Sequence, residues 1–226
     1  MKMFTGLLAA TALLATTAAT AQNTGVQFGL KAGLNMAVLD GVINREANYK
    51  PGLHAGVFMR VRPSKRFAFQ PEVVYSQQGC ENRIPLFSGW GGSVVLESQT
   101  KLAYLNVPLL AKVYLGNVVN LQFGPQVGLL LSARETGETG YTSTPSGNTI
   151  RTSDTNVKKD YKSDVALCGG VGVDLPMGLT ASARLNYGLT DINKNENQKE
   201  IREYFDIGGL HNRVLEFSLG YAFGGK

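Results

Sequence analysis

From Val26 to Val38 the chain reads VQFGLKAGLNMAV, with an apolar residue at every second position. A period of two places Val26, Phe28, Leu30, Ala32, Leu34, Met36 and Val38 on one face of an extended strand. Gln27, Gly29, Lys31, Gly33, Asn35 and Ala37 fall on the other face. Such a strand must lie between two unlike media, and one strand alone does not say which face meets water.

The same pattern recurs seven times, over 49–62, 66–78, 102–115, 118–132, 163–175, 179–190 and 213–223. The connections alternate in length. Short ones fall at 63–65 (PSK), at Gly116-Asn117 and at 176–178 (PMG), all of turn-forming composition. Long ones cover 39–48, 79–99, 133–162 and 191–212 and are rich in Asn, Ser, Thr, Gly and charge. Eight antiparallel strands with short turns at one end and long loops at the other describe an all-β, up-and-down barrel. Long polar loops on one side only are a habit of outer-membrane barrels.

A soluble lipid-binding barrel also alternates, with its apolar face inward. Three features favour the inverted, transmembrane arrangement. The polar face is crowded with Gly29, Gly33, Gly52, Gly56, Gly124, Gly128, Gly170 and Gly172, which suits a cramped eight-stranded lumen better than a solvated surface. The apolar face is almost free of charge over about 10 residues per strand, the length a tilted strand needs to cross a bilayer. Aromatic residues gather near strand ends, at Phe67, Phe69, Tyr187, Tyr221 and Phe223, like the girdles of a membrane barrel.

Residues 1–21, with Lys2, an apolar run over 6–15 and the small-x-small Ala19-Thr20-Ala21, read as a secretory signal peptide. Residues 22–226 then form the barrel. Elsewhere no stretch approaches the roughly 18 unbroken apolar residues of a membrane helix, so any crossing is made by strands. A formal net charge of +5, spread along the chain without a basic block interleaved with aromatics, argues against nucleic acid as a partner. Two distant cysteines, Cys80 and Cys168, exclude a disulfide-stapled scaffold and leave a single bridge open.

Inversion gives Lys31 a place in the lumen, where other charges must meet it. Counted from the short-turn end, Lys31, Glu72, Arg184 and Glu216 fall at nearly one height, and Arg60 and Lys112 lie lower. Buried charges persist when paired and hydrogen-bonded. The expectation is a Lys31/Glu72/Arg184/Glu216 network plugging the lumen; the alternative is that these charges line a watery passage.

The segments GLKAGLN, PGLHAGVF, QPEVVYSQQG, LAYLNVPLLAK, FGPQVGLLLSA, ARLNYGLTDI and FSLGYAF, taken in order, resemble the PorT-like small outer-membrane β-barrels of the Bacteroidetes. The likeness covers nearly all of residues 22–226. It implies an integral barrel of the cell outer membrane and, for the founding protein, a part in exporting other proteins. It implies no catalytic set.

Little in the sequence points to chemistry. His54 and Ser76 both face the lumen toward the long-loop end, and His211 lies near Asp206, which leaves a lipid-modifying enzyme as a minor reading. No Cys/His/carboxylate cluster has metal-ligand spacing. NKNENQKE, 193–200, lacks the ordered acids and glycine of a calcium loop, and EIREYF beyond it could form one or two helical turns. RETGETGYTSTPSGNTIRTSD reads as a mobile surface loop. The expectation is a monomeric, non-enzymatic outer-membrane barrel without a cofactor. It contacts membrane lipid and presents its long loops to envelope or secretion proteins. A small channel is the principal rival.

Overall fold

The computed structural model describes residues 25–41, 47–88, 92–143, 147–204, 206 and 208–224. The expected signal peptide, residues 1–21, lies outside them. Nine strands form: β1 (Val26–Asp40), β2 (Ala47–Val61), β3 (Phe67–Ser88), β4 (Gly92–Leu115), β5 (Val119–Ser143), β6 (Gly147–Asn156), β7 (Asp164–Asp174), β8 (Leu179–Gly188) and β9 (His211–Phe223). Among the described residues one helix, α1 (Glu196–Tyr204), and a 3-10 turn at Lys158–Asp160 sit between strands at the long-loop end.

Every pairing is antiparallel, and eight of the strands close on themselves in the order β4-β3-β2-β1-β9-β8-β7-β5, with β5 returning to β4. Closure matters physically, because a sheet edge left in hydrocarbon would expose backbone groups with nothing to bond. β6 stands outside the ring and pairs only with β5. The turns between β4 and β5 and between β7 and β8 use Gly116 (φ 82°) and Gly178 (φ 94°), a left-handed conformation that side chains disfavour.

Alternation sorts the two faces as the lipid-facing reading requires. Leu30, Leu34, Leu53, Phe123, Leu167 and Leu219 are exposed on the outer wall, whereas Lys31, Arg60, Glu72, Lys112, Arg184 and Glu216 are buried inside. Tyr221 and Phe223 meet edge to face near the short-turn end, with ring centroids 4.9 Å apart.

Two of the expected long loops are corrected. Segments 79–99 and 133–162 are for the most part strand: β3 and β4 pair as far as Ser88↔Gly92, and β5 and β6 pair from Arg134↔Asn156 to Ser143↔Gly147. The Thr-rich stretch read as a mobile loop is paired strand over 134–143 and 147–154, because polar β-branched residues keep strand geometry in water as readily as apolar ones do in lipid. β4 has 24 residues and β5 has 25, an extended length on the order of 80 Å before tilt, whereas about 9–11 residues cross the bilayer. On β5 the exposed apolar run ends at Leu131, and Arg134 and Glu135 follow. A sheet of β3, β4, β5 and β6 therefore projects beyond the membrane.

The lumen is filled tightly enough to require glycine. A Cβ at Gly170 would collide with the Ala183 carbonyl and lie 2.8 Å from the Arg184 Cα, whereas one at Gly169, on the outer wall, meets nothing within 4 Å. Gly170→Val should therefore cost about 1–3 kcal/mol of stability by overpacking, while Gly169→Val leaves the barrel intact. Denaturant unfolding of the two refolded variants checks this, and equal midpoints would show that the lumen has room to spare.

Candidate functional site

The lumen is built in layers along its axis. Lowest is Asp174, the last residue of β7, facing the short-turn end. Its Oδ1 accepts from Arg60 Nη2 at 3.0 Å, and its Oδ2 accepts from Lys112 Nζ at 3.2 Å, Tyr114 Oη at 2.7 Å and Asn120 Nδ2 at 2.9 Å. Arg60 also gives Nε to Gln70 Oε1 at 2.8 Å. One carboxylate thus gathers two cations and two neutral donors.

The next layer centres on Glu72. Lys31, Glu72 and Arg184 are each the sixth residue of their strands, β1, β3 and β8, so the three reach the axis at one height. Oε2 of Glu72 accepts from Lys31 Nζ at 3.0 Å and from Arg184 Nη1 at 3.2 Å. Oε1 accepts from Arg184 Nη2 at 3.1 Å and from Gln70 Nε2 at 2.7 Å. Arg184 grips the carboxylate with both terminal nitrogens, the fork geometry that makes Arg–carboxylate pairs strong.

Of the charges expected in the lumen, Lys31, Glu72 and Arg184 come together directly. Arg60 and Lys112 instead belong to Asp174, which the sequence reading missed because it borders the Leu175–Gly178 turn. Glu216 lies directly across the β8–β9 pair from Arg184 and is buried, but no ion pair joins it among the described residues. It acts on Arg184 as a neighbouring charge. Gln70 links the two layers by touching both Arg60 and Glu72. A signal for Asp174 does exist in the sequence: it is the single acid in the segments that build the short-turn end.

Above the charges lies a neutral layer. His54 Nδ1 pairs with Asn35 Oδ1 at 2.6 Å and Nε2 with Ser218 Oγ at 2.8 Å, while Asn35 Nδ2 donates to Ser76 Oγ at 2.9 Å. His54 and Ser76 are therefore not paired directly, and both ring nitrogens are occupied within a buried cluster. His211 bonds the Thr190 carbonyl through Nδ1 at 3.0 Å. Among the described residues no group of three or more His, Cys, Asp or Glu side chains could hold a metal ion. Cys80 and Cys168 are separate buried thiols and form no disulfide.

The long-loop mouth is closed by apolar side chains. Leu39, Cys80, Leu102, Tyr104, Ala133, Ile192 and Leu210 pack into one cluster, with Val157 and Tyr161 against it. Two connecting segments are stitched together over it: Lys162 N donates to the Ile192 carbonyl at 2.9 Å, Lys194 N to the Asp160 carbonyl at 2.8 Å and Ile192 N to the Leu210 carbonyl at 2.8 Å. Burial pushes the Tyr161 hydroxyl up to about 12, as expected of a dry cap. Arg202 of α1 donates Nε to the Gly41 carbonyl at 3.1 Å and ties the helix to the mouth.

A family profile described as outer membrane protein beta-barrel domain matches residues 20–194. No curated protein matches the sequence. Among solved structures, the chain is similar to Ail, the attachment invasion locus protein of Yersinia pestis, in complex with the heparin analogue sucrose octasulfate. That match has 10% identity and a TM-score of 0.42, and covers 88% of this chain and 100% of that one. Neisserial surface protein A is similar at 10% identity and a TM-score of 0.40, over 86% of this chain and 96% of its own. The outer membrane protein OprG from Pseudomonas aeruginosa is similar at 12% identity and a TM-score of 0.33, over 89% and 98%.

Removing only the Glu72 carboxylate would leave Lys31 and Arg184 buried without their shared partner. Glu72→Leu should cost about 3–5 kcal/mol, and the combined Lys31→Met/Glu72→Leu/Arg184→Met/Glu216→Leu variant, which leaves no charge buried in this layer, should recover most of that loss. Unfolding midpoints of the refolded proteins read both effects. A single variant as stable as the parent would remove Glu72 from its structural role.

Proposed function

The chain belongs to the outer membrane protein β-barrel domain family, and from that premise we propose that it works as a membrane-anchored interaction platform and not as a conduit. It is a protein of the outer membrane, with short turns on the periplasmic side and long hairpins outside, the ordinary orientation of such barrels. The observation that carries the reading is closure of the lumen at successive heights. The Asp174 cluster, the Glu72 triad and the apolar cap around Ile192 and Leu210 lie one above another along the axis. A barrel so filled has its rigid wall and its projecting strands left to work with, and recognition commonly sits on segments held by a rigid frame.

The projecting sheet of β3 to β6, capped by α1, is the part offered to partners. Those partners are envelope or secretion proteins, and the protein acts as a monomer in outer-membrane lipid, accessory to protein export. The ordered run of motifs shared with PorT-like barrels supports the export role. A non-enzymatic barrel accords with His54, whose two ring nitrogens are held by Asn35 and Ser218 away from any surface a lipid could reach.

Ion conductance of the refolded protein in a planar lipid bilayer tests the platform against its rival. The expected outcome is an electrically silent membrane. Stable conductance steps would mean that the lumenal charges line an open path and would give first place to a small channel.

A further inference from the structure

The short-turn end of the barrel opens into a half-enclosed cavity of about 910 Å³. Its walls bring Arg60, Arg62 and Asp174 together with Leu175, Met177 and Tyr221. The segments that build this end, 25–28, 58–70, 110–123, 171–182 and 219–224, hold five bases and one acid: Arg60, Arg62, Lys65, Arg66 and Lys112 against Asp174. That acid is already committed, since its two oxygens receive Arg60, Lys112, Tyr114 and Asn120. Among the described residues Arg62 meets no carboxylate. Its guanidinium lies 3.9 Å over the Tyr114 ring and gives Nη2 to the Lys65 carbonyl at 2.9 Å, and its buried Nε has no partner. The cavity therefore carries surplus positive charge beside an apolar rim.

We infer that this cavity is a binding site for an acidic peptide segment presented from the periplasm, with a carboxylate on Arg62 and its apolar side chains against Leu175 and Met177. The volume falls within the roughly 300–1,000 Å³ typical of ligand pockets. Guanidinium groups are the side chains best shaped to take a carboxylate through two parallel hydrogen bonds. The cavity is walled on its inner side by the lumenal Gln27, Arg60 and Asp174, so a lipid phosphate lying in the plane of the leaflet outside the wall would not enter it. A chain entering along the barrel axis would. Lys65 and Arg66, exposed on the β2–β3 turn at the rim, add a positive field that draws acidic segments toward the mouth. This site lies at the opposite end of the barrel from the projecting hairpins and gives the protein a second face toward partners.

Fluorescence anisotropy of a labelled hexa-aspartate peptide, titrated with the full protein refolded in a zwitterionic detergent, tests the site. Binding should be saturable, weaken with added salt, and fall about tenfold in Arg62→Gln, as expected for the loss of a charge-assisted contact. Native-like resistance to unfolding in that variant ensures that the loss is local. A hexa-serine peptide should not bind. Absence of binding overturns the proposal. So does binding unchanged by Arg62→Gln, which would place the peptide on Lys65 and Arg66 alone. Displacement of the peptide by millimolar inorganic phosphate would assign the cavity to small anions. Arg62-dependent binding to phosphatidylglycerol vesicles in place of the peptide would assign it to lipid. Either result overturns the peptide reading. A conducting lumen would remove the platform reading without touching this one, because peptide binding at the short-turn cavity through Arg62 does not require the lumen beyond it to be closed.

Discussion

The Glu72 carboxylate, held between Lys31 and Arg184, is the interaction on which the interior depends. An eight-stranded sheet closed in lipid turns its polar face inward, and the lumen is then too narrow for bulk solvent and too polar to pack like an oil-filled core. Charges placed there cannot relax into water, so each must find a partner of opposite sign at its own height. Because Lys31, Glu72 and Arg184 stand at the same position along three different strands, the pairing also fixes how those strands are staggered. A slip of one residue in β8 would turn Arg184 out into hydrocarbon. The ion pairs therefore reinforce the register that the apolar outer face already demands. Their value lies in specifying one arrangement more than in net stabilisation, since a buried ion pair roughly offsets its own desolvation.

Glycine and charge in the lumen answer the same requirement. Arg184 needs a neighbour that leaves room for its long side chain, and Gly170 is its partner across the β7–β8 pair. Lys31 is likewise flanked by Gly56 on β2 and Gly220 on β9. Long side chains and glycines alternate around the wall, so a small cross-section is filled without overlap. This explains the pairing of Lys31 with adjacent glycines in the opening strand, which looks inconsistent until the strand is seen from inside the barrel.

What could be read from the sequence was what the period of two encodes. The eight wall strands, the inward glycines and the shared height of Lys31, Glu72 and Arg184 all follow from counting alternate residues from a turn. Asp174 was missed because counting gives little weight to a residue at a strand's last position, where turn chemistry competes with alternation. β6 and the upper halves of β4 and β5 were missed for a different reason. Outside the bilayer both faces of a strand meet water, the apolar alternation disappears, and Thr, Ser, Gly and charge read as loop. Hydrogen bonding between strands persists where the pattern that reveals it does not. Glu216 shows a third limit: register set it opposite Arg184, but direct contact depends on side-chain geometry that periodicity does not contain.

The two ends of the barrel solve different problems with the same wall. At the long-loop end apolar side chains and backbone bonds shut the mouth: Ile192 and Leu210 belong to the cluster that caps it, and β3 to β6 rise past it. At the short-turn end the chain leaves a cavity open and supplies more bases than acids. An excess of positive charge in an enclosed space would be costly if nothing came to balance it, and Asp174 can balance only part. A plug needs paired charges, as the Glu72 layer has. Arg62 is held by the Tyr114 ring and the Lys65 carbonyl but meets no carboxylate among the described residues, and its charge is better accounted for by something it meets from outside.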